Sequence, residues 1–280
     1  MRENLRGHLE ALSKPRNPTR HPAAHRAAAE HILSALQQFG RPAQRQTFHR
    51  EGREGINLLS PVQEKASPSF LVVAHYDTVD HSPGADDNGS AVAVALELAR
   101  LHPEAAILFP DLEEFGLLGS RHFVSTGLWK DIPALVLESV GYWNDQPGSQ
   151  GYPELLPAAF PEQFDQLRRR DFRGDFLVLL HRSGDSSQAQ QLRQSLTGDL
   201  ICFELADGLL QSPQGAQLRD FGRSDHLAFW ERNRCCLMLT DSANFRNPNY
   251  HLPTDTLSTL DLDRMALLTG DLSRFLTSLK

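Results

Sequence analysis

Four short stretches of this sequence gather side chains that bind metal ions and move protons. The run Leu71 to Gly89, LVVAHYDTVDHSPGADDNG, carries His75, Asp77, Asp86 and Asp87. Pro110 to Gly116 carries the adjacent pair Glu113-Glu114, Glu138 closes a third apolar run, and His251 follows Asn249-Tyr250. Zinc takes imidazole nitrogen and carboxylate oxygen readily, and a catalytic site leaves one position open for water. His75, Asp86, Glu114, Glu138 and His251 suffice for two zinc ions if one carboxylate is shared. Two ions a few ångströms apart polarise a carbonyl and lower the pKa of a water between them.

Asp77 and Glu113 are left over from that set. Two residues beyond His75 on extended backbone, Asp77 returns to the same side of the chain, where it can accept the ring N–H of a metal-binding histidine and fix its tautomer. Glu113 and Glu114 are neighbours in a loop, so one can bind metal while the other acts as general base. Spacing alone does not say which. Asp86, Asp87 and Asn88 also suit a helix N-cap, and taken alone they have that purely structural reading.

The elements around these residues decide between the two readings. Phe70 to Ala74, Ala105 to Phe109, Ala134 to Leu137 and Cys235 to Leu239 are short apolar runs separated by helical segments, the pattern of a mostly parallel sheet covered on both faces. Ligands of such sheets sit beyond the carboxyl ends of the strands, and each of these four runs empties into titratable residues. Residues 1–14 and 22–39 read as helices parted by the breaker Lys14-Pro15-Arg16-Asn17-Pro18. Two strands follow, near Ala43 to His49 and Ile56 to Leu59. The segment from Trp143 to Gly222 holds strand candidates at Phe176 to Leu180 and Leu200 to Phe203 and a helix near Ser186 to Leu196; it is expected to form one wall of the cleft.

With 280 residues, 40% hydrophobic and 22% charged, the chain suits a single α/β domain over 1–280. A net charge of -7 argues against a nucleic-acid surface, and Arg168-Arg169-Arg170 reads as a solvated helix end. No apolar run reaches membrane-spanning length, and the opening residues look like an amphipathic helix rather than a secretory leader. Cys235 and Cys236 are adjacent on a strand and poorly placed to bridge, so reduced thiols and a cytoplasmic setting are expected.

The motifs His75-Tyr76-Asp77, Pro83-Gly84-Ala85-Asp86-Asp87-Asn88-Gly89-Ser90, Glu113-Glu114 with Phe115-Gly116-Leu117-Leu118-Gly119-Ser120, Ser224-Asp225-His226 and Tyr250-His251 occur in the order found in the co-catalytic di-zinc aminopeptidases. From about residue 20 to its end the chain resembles that family, which includes bacterial leucyl aminopeptidases, glutamate carboxypeptidases and glutaminyl cyclases. The resemblance implies a mixed, mostly parallel sheet sandwiched by helices in the phosphorylase/hydrolase-like fold. It implies that Asp86 bridges two zinc ions, with Glu114 and His251 completing one site and His75 and Glu138 the other. Glu113 is then the base, a cis peptide joins Asp86 to Asp87, and Asp87 merely starts the following helix. Glu138 departs from the family's usual aspartate, which suggests a weaker second ion. A related family of deacylases and carboxypeptidases has an inserted dimerisation domain and a longer gap before its bridging aspartate; the short interval from His75 to Asp86 fits it less well.

The activity implied is hydrolysis of N-terminal residues from peptide substrates. Two alternatives on the same fold are a single-zinc glutaminyl cyclase and a non-catalytic binding protein, the latter expected to have lost ligands or base. Among the remaining histidines, His21 and His25 read as a solvated helix face, His81 as a loop residue, and His102, His122 and His181 as structural or exposed. His226 and Arg223 are candidates for substrate contact at the cleft wall.

Overall fold

The computed structural model describes residues 1–61, 68–212 and 214–279. Two helices open the chain, α1 (Arg2–Leu12) and α2 (Pro22–Gln38). The strands β1 (Gln44–Arg50), β2 (Arg53–Ser60) and β3 (Leu71–Val73) precede α3 (Ala91–Leu101), and β4 (Ala106–Phe109), α4 (Leu118–Ser125) and β5 (Ala134–Glu138) follow. The second half contains α5 (Leu156–Ala159), α6 (Pro161–Arg169), β6 (Leu177–Arg182), α7 (Ser186–Ser195), β7 (Leu200–Leu205), α8 (His226–Trp230), β8 (Cys236–Thr240) and α9 (Leu262–Ser278).

The eight strands of the described residues join one sheet in the order β1-β2-β4-β3-β5-β8-β6-β7. The four apolar runs read from the sequence become its centre, β4-β3-β5-β8, and run parallel to one another: Leu71 pairs with Ala106 and Ala134, and Glu138 with Thr240. β2 is antiparallel to both β1 and β4, β6 is antiparallel to β8, and β7 lies parallel to β6 at the far edge.

Strand alternation divides the core. Val72, Ile107, Leu135 and Leu137 face one side, where they pack against Leu5 and Leu9 of α1, Ile32 of α2, Leu96 of α3 and Phe275 of α9. Leu71, Val73, Leu108 and Val136 face the other side, against Phe123 of α4, Leu167 of α6 and Phe229 of α8. The central strands are therefore apolar at every position, because both faces are covered. α3, AVAVALELARL, is buried on nearly all sides, as a helix without a polar face must be. Among the described residues no helix is long and apolar enough to cross a membrane.

Candidate metal centre

Because β3, β4, β5 and β8 are parallel neighbours, their carboxyl ends open side by side. His75 and Asp77 follow β3, Glu113 and Glu114 follow β4, and Glu138 ends β5. β3 holds its line past Val73 because Ala74 N donates to Leu108 O and Tyr76 N to Pro110 O. Asp77 then ties the first loop to the second: its Oδ1 accepts from Glu113 N at 3.0 Å and its Oδ2 from Glu114 N at 3.2 Å, with Oδ1 3.4 Å from His75 Nδ1. Asp77 thus stands beside His75 Nδ1, the ring nitrogen it was read to orient, and its hydrogen bonds go to the Glu113-Glu114 turn. Asp111, whose carboxylate accepts from Leu112 N, Ile56 N and His25, braces the same turn.

The shared carboxylate belongs to Asp87. Its Oδ1 lies 3.3 Å from His75 Nε2 and its Oδ2 3.0 Å from His251 Nε2. Glu138 Oε2 is 3.5 Å from His75 Nε2, and Glu114 Oε1 is 3.4 Å from His251 Nε2. Two triads result, His75-Asp87-Glu138 and Asp87-Glu114-His251, each with its ligand atoms within 4.8 Å of one another. Both nitrogens of His75, His251 Nε2, Asp87 Oδ1 and Glu114 Oε1 are buried without a hydrogen-bond partner. Buried polar atoms ordinarily have one, and this donor set of imidazole and carboxylate fits zinc.

The expectation that Asp86 bridges is thereby corrected. Its carboxylate turns away to accept from Gly141 N at 2.9 Å and Asn247 Nδ2 at 2.7 Å, so it is spent on joining the loop to neighbouring segments. Ala85–Ser90 winds through an irregular turn in which Asp87 and Asn88 leave helical geometry, and α3 begins only at Ala91. Asp87 is thus not a helix-starting residue, and the cis peptide joins Asp87 to Asn88, one position later than expected. Asp255 accepts from the backbone N–H groups of both Asp86 and Asp87, while Asn88 Nδ2 donates to Leu137 O and its Oδ1 accepts from Ser139 N. A Cβ at Gly84, whose φ is +59°, would collide with Thr78 and the Asp87 carbonyl.

The charges respond to this crowding. Burial opposes charge on His75, but the carboxylates of Glu138 and Glu113 outweigh it and hold the ring's pKa well above its usual value. Burial likewise opposes charge on His251, yet the close carboxylates of Asp87 and Glu114 raise it to about 10. Asp87 is pushed down despite its burial, by the close imidazoles of His251 and His75. Burial, then the charge of Asp87, lifts Glu114 to about 7; burial holds Glu113 well above the carboxylate range, against the pull of His75. Glu113 Oε2 lies 4.0 Å from His75 Nε2 and coordinates in neither triad. Glu138 Oε2 accepts from Ser224 Oγ at 2.6 Å, so a partner across the cleft steadies the longer side chain.

A cavity of about 440 Å³ opens beside these residues. Asp87, Glu113, Glu114 and Glu138 form its polar end, and Leu156, Phe176, Val178, Leu180, Phe203 and Met238 its apolar depth. The 143–222 segment supplies much of that wall, as expected. Arg223 lines the cavity and donates to Asn244 Oδ1 and Tyr250 OH, and Tyr250 stacks on His251 with ring centroids 3.9 Å apart.

His226 does not line it. Its ring is fully buried, donates from Nε2 to Phe221 O at 2.9 Å and meets Trp230 edge-on, so it is a core residue rather than a substrate contact. Burial lowers its pKa to about 4. His25 is no solvated residue either: it bonds Asp111 Oδ1 at 2.8 Å and stacks on Tyr76. Sequence reasoning passed over Asp225, fully buried near His75 and Glu138 and raised to about 7, chiefly by burial. The Ser-Asp-His motif drew attention to its histidine, and nothing in the spacing of the motif marks the aspartate instead.

With this arrangement in view, the comparisons with known proteins are specific. Residues 57–168 match the model of peptidase family M28. YfbL, an uncharacterized protein of Escherichia coli, is 29% identical over 259 residues, covering 85% of this chain and 76% of its own. Aminopeptidase YwaD of Bacillus subtilis is 43% identical over 75 residues, a quarter of this chain but only 16% of that protein. Among solved structures, the LapA aminopeptidase of Legionella pneumophila superposes with a TM-score of 0.72 over 100% of this chain and 72% of its own, at 17% identity. A glutaminyl cyclase of Porphyromonas gingivalis gives 0.60 over 99% and 96%, also at 17%. The M28 match and the aminopeptidase relative agree with the resemblance read from the motifs and support the metallo-aminopeptidase class of hydrolase, while the solved structures show the fold.

Proposed function

We propose that the chain is a zinc-dependent exopeptidase that removes N-terminal residues from peptides, with Glu113 as general base. The observation that carries this reading is Asp87, which presents one oxygen to each histidine while Glu113 stands uncommitted beside them. His75, Asp87 and Glu138 would hold one zinc ion, the second and weaker of the expected pair, and Asp87, Glu114 and His251 the other. Bound there, the ions supply polarisation of the scissile carbonyl and acidification of a water. Glu113 takes the proton of that water and returns it to the leaving amine, a task open to a carboxylate that stands beside both triads and belongs to neither. Asp77 holds the Glu113-Glu114 turn and His75 in register.

The likeness to aminopeptidase YwaD supports cleavage from the amino rather than the carboxyl terminus. The apolar depth of the cavity would take the side chain of the departing residue, with Arg223 and Tyr250 at its rim. A single-zinc cyclase needs one triad, whereas both are formed here, and a binding protein has no need of Glu113. Digestion of a mixed peptide library, free and N-acetylated, tests the reading. Successive loss of N-terminal residues from free peptides alone is expected, and cutting of acetylated peptides from the other end would refute it.

A further inference from the structure

The breaker between α1 and α2 sends a charged side chain underneath the site. Arg16 is 1% exposed. Its Nε donates to Tyr76 O at 2.7 Å, its Nη1 to Leu12 O and Pro83 O, each at 2.7 Å, and its Nη2 to Gly84 O at 3.0 Å. Its backbone N–H donates to Thr78 Oγ1 at 2.9 Å, and Asn17 Nδ2 to Thr78 O at 3.1 Å. Three of the four carbonyls lie in the loop that leaves His75 and returns to Asp87. One guanidinium therefore clasps both ends of the loop, next to the first histidine and three residues before the shared aspartate.

Its surroundings are unusual for a buried cation. Every hydrogen-bond acceptor is a neutral carbonyl, and the charges that favour its ionised form are those of Asp87, Asp255, Asp77 and Glu114. Burying a cation is costly unless opposite charge lies close, and here that charge comes from two members of the triads, Asp87 and Glu114, and from Asp255 and Asp77, which brace them. The loop is shaped around the group: at Gly84 a Cβ would stand 3.2 Å from Nη1.

We propose that Arg16 is a positioning residue of the metal centre, whose planar fork fixes the 76–84 loop so that His75 and Asp87 face a common ion. The inference rests on the metal reading given above. Lysine keeps the charge but offers one nitrogen, which cannot reach carbonyls spread over Leu12, Tyr76, Pro83 and Gly84. Charge without the fork therefore leaves the loop unheld.

The test compares zinc-loaded wild type, Arg16→Lys and Arg16→Met for the rate at which a chromogenic chelator strips zinc and for the rise in Tm on zinc loading. Both variants should release zinc about tenfold faster or more, gain less Tm from zinc, and lose kcat with KM little changed. Release at the wild-type rate, with Tm lowered equally in metal-free and loaded protein, makes Arg16 a structural residue only and overturns the inference. Should Arg16→Met fail to fold, Arg16→Lys decides alone. A wild type that takes up no zinc overturns the metal reading and this inference with it, whereas zinc-binding wild type beside variants of unchanged release overturns this inference alone.

Discussion

Exchanging the two adjacent aspartates for asparagine, one at a time, should separate a metal ligand from a structural brace. Asp86 accepts from Gly141 N and Asn247 Nδ2 through different oxygens. Asparagine has one acceptor oxygen, so Asp86→Asn turns an amide N–H₂ toward one of those donors and leaves a buried group unsatisfied, at about 1–3 kcal/mol. For a chain of this length that is a fall in Tm of roughly 2–10 °C, and zinc content should not change. Asp87 is the carboxylate common to both triads. Asp87→Asn removes negative charge from both sites together, so zinc should fall to one ion or fewer per chain after dialysis. kcat/KM should drop by about 10³ or more, some 4 kcal/mol of transition-state stabilisation. Elemental analysis for zinc, thermal melts and hydrolysis of a leucyl amide give the three readouts. Asp87→Asn with full zinc beside Asp86→Asn stripped of it would refute the assignment.

Three further results are expected. Glu113→Gln should keep fold and zinc while kcat falls about 10²–10⁴-fold with KM little altered; near-normal turnover in steady-state assays would remove Glu113 as base. Val178→Phe, which fills the apolar depth of the cavity, should lower kcat/KM for peptides starting with leucine or phenylalanine by roughly 10–100-fold relative to alanine, and an unchanged preference would place the side-chain pocket elsewhere. His226, neutral and buried with its pKa lowered from 6.5 to about 4, favours folding fully above pH 6.5 and progressively less as pH falls toward 4, by at most about 3 kcal/mol. In urea melts His226→Gln should flatten that acid loss, and an unaltered pH profile would contradict it.

Much of the fold is legible because the four central strands are apolar at every position, a pattern that only a doubly covered parallel sheet explains, and because the breaker Lys14-Pro15-Arg16-Asn17-Pro18 parts the first two helices where a turn must come. The ligand types were readable for the same reason: carboxylates and histidines at four strand ends have few other uses. The choice between Asp86 and Asp87 was not, since adjacent residues of one type differ only in the path of an irregular turn, and that path is set by Gly84 and Asn88 within it together with Asp255, Leu137 and Ser139 from elsewhere in the chain. His226 misled because a histidine in a motif beside the cleft has no sequence mark of pointing inward to Phe221 O. Arg16 was hidden for another reason: Pro-Arg-Asn-Pro reads as a breaker between helices, and only the folded chain shows the arginine reaching across to the 76–84 loop.

The central claim is that two zinc ions lie on either side of Asp87. A crystal of the zinc-loaded protein, measured on both sides of the zinc absorption edge, tests it most directly. Two anomalous peaks are expected, one among His75, Asp87 and Glu138 and the other among Asp87, Glu114 and His251, the former weaker. Peaks that contact Asp86 instead, or no zinc between the two histidines, would contradict it.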